Sequence, residues 1–210
     1  MKKKLSKLSD NIKQYGIISA FKQIFLRGIS KVYFTNSQYV FLLNKASIEE
    51  DSNTNIDIIE GSDSHEYLPF IGRDLCSGEV VFVYKENSVV KGYAFIQSSG
   101  VYTFSKGAKI RLNSDMFMLK NLFVYSEFRG EKIGLKLNRA RVAYAKKRAN
   151  VLVLVLKENR AAIRNIEKVG FEKMALFKLT ILFNYFKSNT LVNVGSNDSL
   201  VKRLKLLMEL

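Results

Sequence analysis

Apolar and polar positions change period along this chain, and each change marks an element. Tyr39 to Leu43 and Asn55 to Ile59 read as short strands. Glu79 to Lys85 and Val89 to Gln97 alternate apolar and polar residues on either side of Glu86-Asn87-Ser88, which predicts a hairpin. Gly107 to Asn113 and Asp115 to Val124 read as a further strand pair, and Glu172 to Phe183 as a last long strand. Val151 to Leu156 is an unbroken apolar run, the pattern of a strand covered on both faces. Helical spacing takes over from Ile133, where Leu135, Leu137, Ala140, Val142 and Ala143 follow. It returns in Arg160 to Val169, stopped by Gly170, and in Asp198 to Leu210, with Leu200, Val201, Leu204, Leu207 and Leu210 on one side. A short helix is expected over His65 to Arg73. Strands interleaved with helices in this order predict an α/β protein of the α+β type, a mixed sheet with helices on both faces.

Between Leu119 and Leu137 the pattern passes from strand to turn to helix without a spacer. The apolar residues Leu119, Leu122, Phe123 and Val124 give way at Tyr125 to Phe128, and Arg129-Gly130-Glu131-Lys132-Ile133-Gly134 opens the helix. A helix that starts there presents unpaired N–H groups and the positive end of its dipole, which suits a phosphate. Gly130 and Gly134 would let a ligand approach the backbone. The same residues also fit a plain strand-to-helix turn whose glycines serve packing.

Composition narrows the class. The 210 residues are 47% hydrophobic with charges throughout, which predicts a folded chain with one substantial core. The single cysteine, Cys76, excludes a disulfide framework, suits a reducing compartment and reads as a buried thiol. No apolar run is long enough for an ordinary transmembrane helix, and no signal-peptide pattern is present, so the cytoplasm is the expected location. The net charge of +15 is concentrated: residues 1–34 carry eight Lys/Arg against Asp10, and residues 129–173 carry thirteen against four Glu. An acidic stretch from Glu49 to Glu66 separates the two zones. Two basic zones of different character imply two anionic partners. In the first, Ile17 to Ile29 is strongly apolar with only basic charges, which fits either an anionic membrane surface or packing on the chain's own sheet or on a second copy. The arm lacks the aromatic–basic interleaving of a nucleic-acid module, so nucleic acid is not the expected partner. No metal-ligand cluster is present.

Two blocks together carry a family resemblance. The first is Leu122-Phe123-Val124 followed by Arg129 to Gly134. The second is Asn159-Arg-Ala-Ala-Ile-Arg-Asn-Ile-Glu-Lys-Val-Gly170-Phe171. In order, spacing and predicted structure they resemble the GNAT superfamily of acyl-CoA-dependent N-acyltransferases. The resemblance implies a GNAT fold, with a central, largely antiparallel sheet whose splayed strand pair binds CoA. It implies acetyl-CoA, or another acyl-CoA, as co-substrate and direct transfer of the acyl group to the primary amine of a small acceptor, without a covalent enzyme intermediate. The pantetheine arm would pair with main-chain groups of Leu122, Phe123 and Val124. The diphosphate would meet the N–H groups of Arg129, Gly130, Glu131, Lys132, Ile133, Gly134 and Leu135, with Lys136 adding charge. Asn159 and Ala162 would lie on the facing wall, Asn159 also reading as a helix N-cap.

Two positions depart from the family pattern. Lys132 stands where the family has its second turn glycine, and Ile166 where a tyrosine commonly protonates the leaving thiolate. Tyr125, Tyr144 or a water would have to replace that tyrosine. Asn165 replaces a usual apolar residue. Glu79, Asp115 and Glu127 lie near strand ends without marking a general base, and His65 falls where the resemblance puts the acceptor pocket. The expected layout is a basic extension over 1–45, the acyltransferase domain over 46–190 and an amphipathic helix over 191–210. An amino sugar, free or nucleotide- or lipid-linked and handled at the inner face of a membrane, is one acceptor consistent with the arm. The rival readings are a long-chain N-acyltransferase fed by acyl carrier protein, whose acidity would suit the basic surface, and a CoA-binding module without turnover.

Overall fold

The computed structural model describes residues 32–44, 55–60, 75–146 and 150–209. The basic arm up to residue 31, the polar connector at 45–54 and the helix expected at His65–Arg73 lie outside them. Eleven strands and three α-helices follow in the described residues: β1 (Tyr33–Leu43), β2 (Ile56–Glu60), β3 (Glu79–Glu86), β4 (Val89–Gln97), β5 (Val101–Ser105), β6 (Ala108–Arg111), β7 (Met116–Val124), α1 (Ile133–Ala145), β8 (Asn150–Leu156), α2 (Arg160–Glu167), β9 (Phe171–Leu182), β10 (Phe186–Asn193), α3 (Asp198–Leu207) and β11 (Met208–Glu209). The large sheet has the order β10-β9-β1-β8-β7-β4-β3-β2, and β11-β6-β5 forms a small second sheet. Pairings run antiparallel for β1 with β8, β2 with β3, β3 with β4 and β4 with β7, whereas β7 and β8 run parallel. A parallel pair needs a crossover, which α1 supplies.

The chain divides into a main unit, Ser37–Phe177 with Leu191–Leu210, and a smaller one. The described part of the smaller unit consists of residues 32–36 and 178–190. There, Phe183 and Asn184 turn the chain in left-handed conformations, and Phe183, Tyr185 and Phe186 are exposed.

In the main unit, α1 and α2 share one core with the sheet. Phe82, Phe117, Leu119, Val153 and Phe171 meet Ile133, Leu137 and Ile166. A second cluster gathers Val81, Val83 and Phe95, with Tyr93 and Tyr125 against it. The hairpin β3–β4 turns at Asn87 and Ser88, both with positive φ as a type I′ turn requires.

Several elements differ from the sequence expectation. β1 starts at Tyr33 rather than Tyr39, its first residues being too exposed to show an apolar pattern. The strand expected at Gly107–Asn113 does not pair with the one that follows. Gly107, with φ 74°, folds it back on β5, an element the pattern did not reveal, while β7 inserts between β4 and β8. β10 was also not anticipated, and residues 191–193 belong to it, so the terminal helix covers 198–207. Cys76 is exposed, because it lies in the turn ahead of β3.

Asp115, just before β7, accepts two hydrogen bonds from Arg203 of α3 at 2.7 and 2.9 Å. The Arg203 guanidinium holds this carboxyl below the usual carboxylate range. The unfolded chain therefore takes up the proton more readily, so this pair supports folding above pH ~4 and less as the pH falls through the folded value. Asp115→Asn is expected to lower stability at pH 7 by about 0.5–1 kcal/mol, as for a partly exposed pair, and to flatten the acid limb. Urea unfolding at pH 7 and pH 3.5 measures both.

Candidate active site

The site begins where two parallel strands stop pairing. β7 and β8 are in register from Met116 with Asn150 to Leu119 with Val153, and no further. β7 runs on to Val124 beside β4, and β8 runs on to Leu156 beside β1. The parting coincides with a break in the β4–β7 ladder between Tyr93 and Phe95, where Asn121 takes φ 47°. An extra residue in one strand is a β-bulge, which bends and twists that strand. Gly92 makes the bulge fit, since a Cβ there would stand 2.7 Å from the carbonyl oxygen of Phe123.

Leu122, Phe123 and Val124 emerge beyond the bulge and line a cleft of about 860 Å³. The turn that follows forms a second wall. Gly130 has φ 101°, and Lys132, the N-cap of α1, has φ 59°. Lys132 thus occupies the left-handed conformation that favours glycine, at the position where the family pattern has one. The N–H of Arg129 turns back on Ser126, and that of Leu135 donates to the carbonyl of Lys132 at 2.9 Å. Both were expected to face a ligand. The N–H groups between them belong to the turn and the first residues of α1, which have no intrahelical acceptor.

α2 forms the facing wall. Asn159 caps it, its side chain accepting from the N–H of Ala162 at 3.0 Å. Along this helix Ala161, Arg164, Asn165 and Lys168 fall at one spacing and line the cleft, whereas Ile166 is turned into the core at 3% exposure. Arg164 and Lys168 were missed by the motif reading, although their spacing, three and seven residues past Ala161, places them on one helical face. The cleft residues therefore include Arg129, Lys132, Arg164 and Lys168 and, among the described lining residues, no carboxylate.

Two lysines near the turn are committed elsewhere. Lys136, expected to add charge at the turn, donates to the Tyr84 hydroxyl at 2.9 Å and sits over that ring. Lys91 is bound by Glu86 and by Glu131 at 3.1 Å, and these carboxylates hold its ammonium above the ordinary lysine value. Glu131 is thereby a brace for the turn, while Arg129 Nε donates to the Val124 carbonyl at 3.2 Å and ties the turn to the strand.

The proton-transfer candidates separate just as clearly. Tyr125 packs edge-on against Phe123 at 5.1 Å and against the cluster that contains Val81 and Phe95. The Tyr144 hydroxyl donates to Glu60. Glu79 is buried, bound to Lys120 and to the Cys76 N–H, so it is spent on structure, as is Asp115. His65 lies outside the described residues. No group of His, Cys, Asp and Glu among the described residues is placed to hold a metal ion, and no described helix is long and apolar enough to cross a membrane.

Sequence reasoning also missed a buried polar chain behind the cleft. The face of α1 that meets the core includes Asn138 and Arg141, each 1% exposed, in place of the simple apolar stripe that the spacing suggested. Arg141 donates to the carbonyls of Phe95 and Lys120, at 3.0 and 3.1 Å, next to the bulge. Burial pushes its pKa down to about 9.

Comparison with known proteins agrees with this geometry. A profile of the acetyltransferase (GNAT) family matches residues 47–171. A crystal structure assigned to the GNAT acetyltransferases from Novosphingobium aromaticivorans is 13% identical with a TM-score of 0.52, over 78% of this chain and 66% of that one. A functionally unknown conserved protein from Staphylococcus epidermidis is 13% identical with a TM-score of 0.48, over 77% and 65% of the two chains. The chain thus spans about two thirds of the length of these structures. No curated protein matches the sequence. With more than half of its residues inside the matched region and the same sheet architecture in the first of these structures, the chain belongs to the acetyltransferase (GNAT) family.

Proposed function

We propose that the chain is an N-acetyltransferase that moves an acetyl group from acetyl-CoA to the primary amine of a small acceptor. The observation that carries this reading is the cleft between β7 and α2, with parted strand edges and with cations but no carboxylate among its described lining residues. An extended polar arm can add to the exposed edge of β7, as peptide strands add to sheets. A diphosphate suits the turn from Gly130 to Gly134, where backbone N–H groups and the start of α1 favour negative charge. Arg129, Lys132, Arg164 and Lys168 supply the complementary cations.

Acetyl-CoA brings an activated thioester, whose acyl carbon bonds to the amine nitrogen as the C–S bond breaks. The chain's contribution is position and charge. In this reading a main-chain N–H of the strand that carries Leu122 to Val124 polarises the acyl oxygen, and the cleft walls hold donor and acceptor in line. Tyr125, which packs edge-on against the cleft residue Phe123, is the candidate proton donor to the leaving thiolate. Asn159, as the cap of α2, fixes the facing wall. Ile166, directed into the core, offers no proton to the leaving thiolate. That burial favours a second reading, a CoA-binding module without turnover.

Calorimetry with acetyl-CoA tests binding: saturable 1:1 binding is expected, and its absence would sink both readings. Turnover with a mixed library of amines, followed as release of free thiol, then decides between enzyme and module.

The acceptor class rests on the arm. Basic and apolar residues over 1–34 suit an anionic lipid surface, and an amino sugar bound for a surface polysaccharide is an acceptor that would be handled there. Deleting residues 1–34 is expected to cut sedimentation with vesicles containing about 30 mol% anionic lipid several-fold, with acetyl-CoA binding retained. Unchanged sedimentation would remove the membrane from the proposal.

A further inference from the structure

Hydrogen-bond direction propagates through the buried chain behind the cleft, and it ends at the ligand's side. Arg141 carries only donors, so the atom of Asn138 that faces it must be the side-chain oxygen, and Arg141 donates to Asn138 Oδ1. The Asn138 amide nitrogen is thereby turned away, toward α2, where it donates to Asn165 Oδ1 at 3.1 Å. That contact in turn leaves the Asn165 NH2 pointing onward. It lies against Gly134, where a Cβ would stand 3.0 Å from Asn165 Nδ2, with Leu122 and Val124 as the next neighbours. Asn165 is half-buried in the cleft wall, and its NH2 has no acceptor among the described residues.

We infer that Arg141, acting through Asn138, orients Asn165 so that its NH2 donates to a carbonyl oxygen of the acyl donor's extended pantetheine arm. Three buried or half-buried polar side chains on two helices are an expensive way to fill an α1–α2 contact that apolar residues could fill. The polarity of the chain gives them a purpose. A fully buried guanidinium sets the direction, Asn138 relays it, and the last donor is delivered beside the parted strand edge. Leu122 and Val124 flank that donor with apolar surface, which strengthens a hydrogen bond to a neutral carbonyl and makes the donor costly to leave unpaired. Arg141 and Asn138 are positioning residues, and Asn165 is the residue that touches the ligand.

This inference rests on the reading of the cleft as an acyl-CoA site, and its test separates the two. Asn138→Asp keeps an acceptor for Arg141 and adds an ion pair, but it cannot donate to Asn165. Asn165 then turns its own NH2 toward the introduced carboxylate and presents oxygen to the cleft. The expected result is an unchanged or raised thermal midpoint with CoA affinity about tenfold weaker by calorimetry. Binding of adenosine 3′,5′-bisphosphate, which lacks the arm, is expected to stay at the wild-type value. Asn165→Leu is expected to weaken CoA by a similar factor, and the double variant to bind no worse than Asn165→Leu alone. Unchanged CoA affinity in both single variants, equal weakening of CoA and the bisphosphate, or additive effects in the double variant would each overturn the inference. If Asn138→Asp does not fold, the Asn165→Leu comparison of the two ligands decides by itself. Wild-type protein that binds no CoA would overturn the functional reading together with this one.

Discussion

The parting of β7 from β8 after Leu119 and Val153 is the constraint on which the site depends. Two parallel strands in the middle of a sheet would normally pair to their ends, since each unmade backbone hydrogen bond in a dry interior costs free energy. Here β7 is drawn away by the bulge at Asn121, and the bulge displaces carbonyls from the regular ladder. Arg141 answers at that place. Its guanidinium, reaching up from α1, donates to the carbonyls of Phe95 and Lys120, and its partners among the described residues are all neutral. A buried cation without a carboxylate is a poor choice for stability alone. Burial accordingly lowers its proton affinity, although with a pKa of about 9 it remains charged at neutral pH. The cleft and the charged side chain behind it belong to one device.

Electrostatics in the main unit are more selective than the net charge suggests. The zone from Arg129 to Lys173 reads as one basic patch, yet the fold divides it. Lys136 is turned onto Tyr84, Lys91 and Glu131 clamp the turn to the β3–β4 hairpin, and Lys173 pairs with Glu167. What remains toward the cleft comes from opposite walls, Arg129 and Lys132 on one side and Arg164 and Lys168 on the other. Cations that converge from two walls on a gap with no carboxylate among its described lining residues focus potential there, where charges scattered on a convex surface would be screened. Lys132 shows how tightly the turn is defined, since it accepts a left-handed backbone that a lysine seldom adopts.

Much of this was legible in the sequence wherever a local period or a short motif carries the information. The apolar run at 151–156, the hairpin around Asn87-Ser88, the strand-to-helix turn at 129–134 and the Asn159 cap all lie where the pattern put them. These features depend on residues close in sequence, and their physical causes, such as alternation, turn chemistry and capping, act over a few positions. The pairing of β6 with β5 rather than with β7 was not legible, because a short exposed strand such as Val101–Ser105 has little apolar pattern of its own. Arg141 was not legible either. Among so many basic residues it reads as a solvated position on a helix, and only its depth under Phe95 and Lys120 distinguishes it.

The sequence by itself determined the class of fold, the family and the backbone elements that frame the cleft, because these follow from periodicity and from a turn whose residues are contiguous. The tertiary structure decided what the cleft is made of. It placed Arg164 and Lys168 opposite Arg129, withdrew Lys136 and Glu131 into clamps, buried Ile166 and aligned Arg141, Asn138 and Asn165 into one directed chain. Those outcomes depend on where side chains far apart in sequence come to rest. A hydrogen-bond donor finds its acceptor only after the sheet has fixed which strand bulges and which helix lies above it.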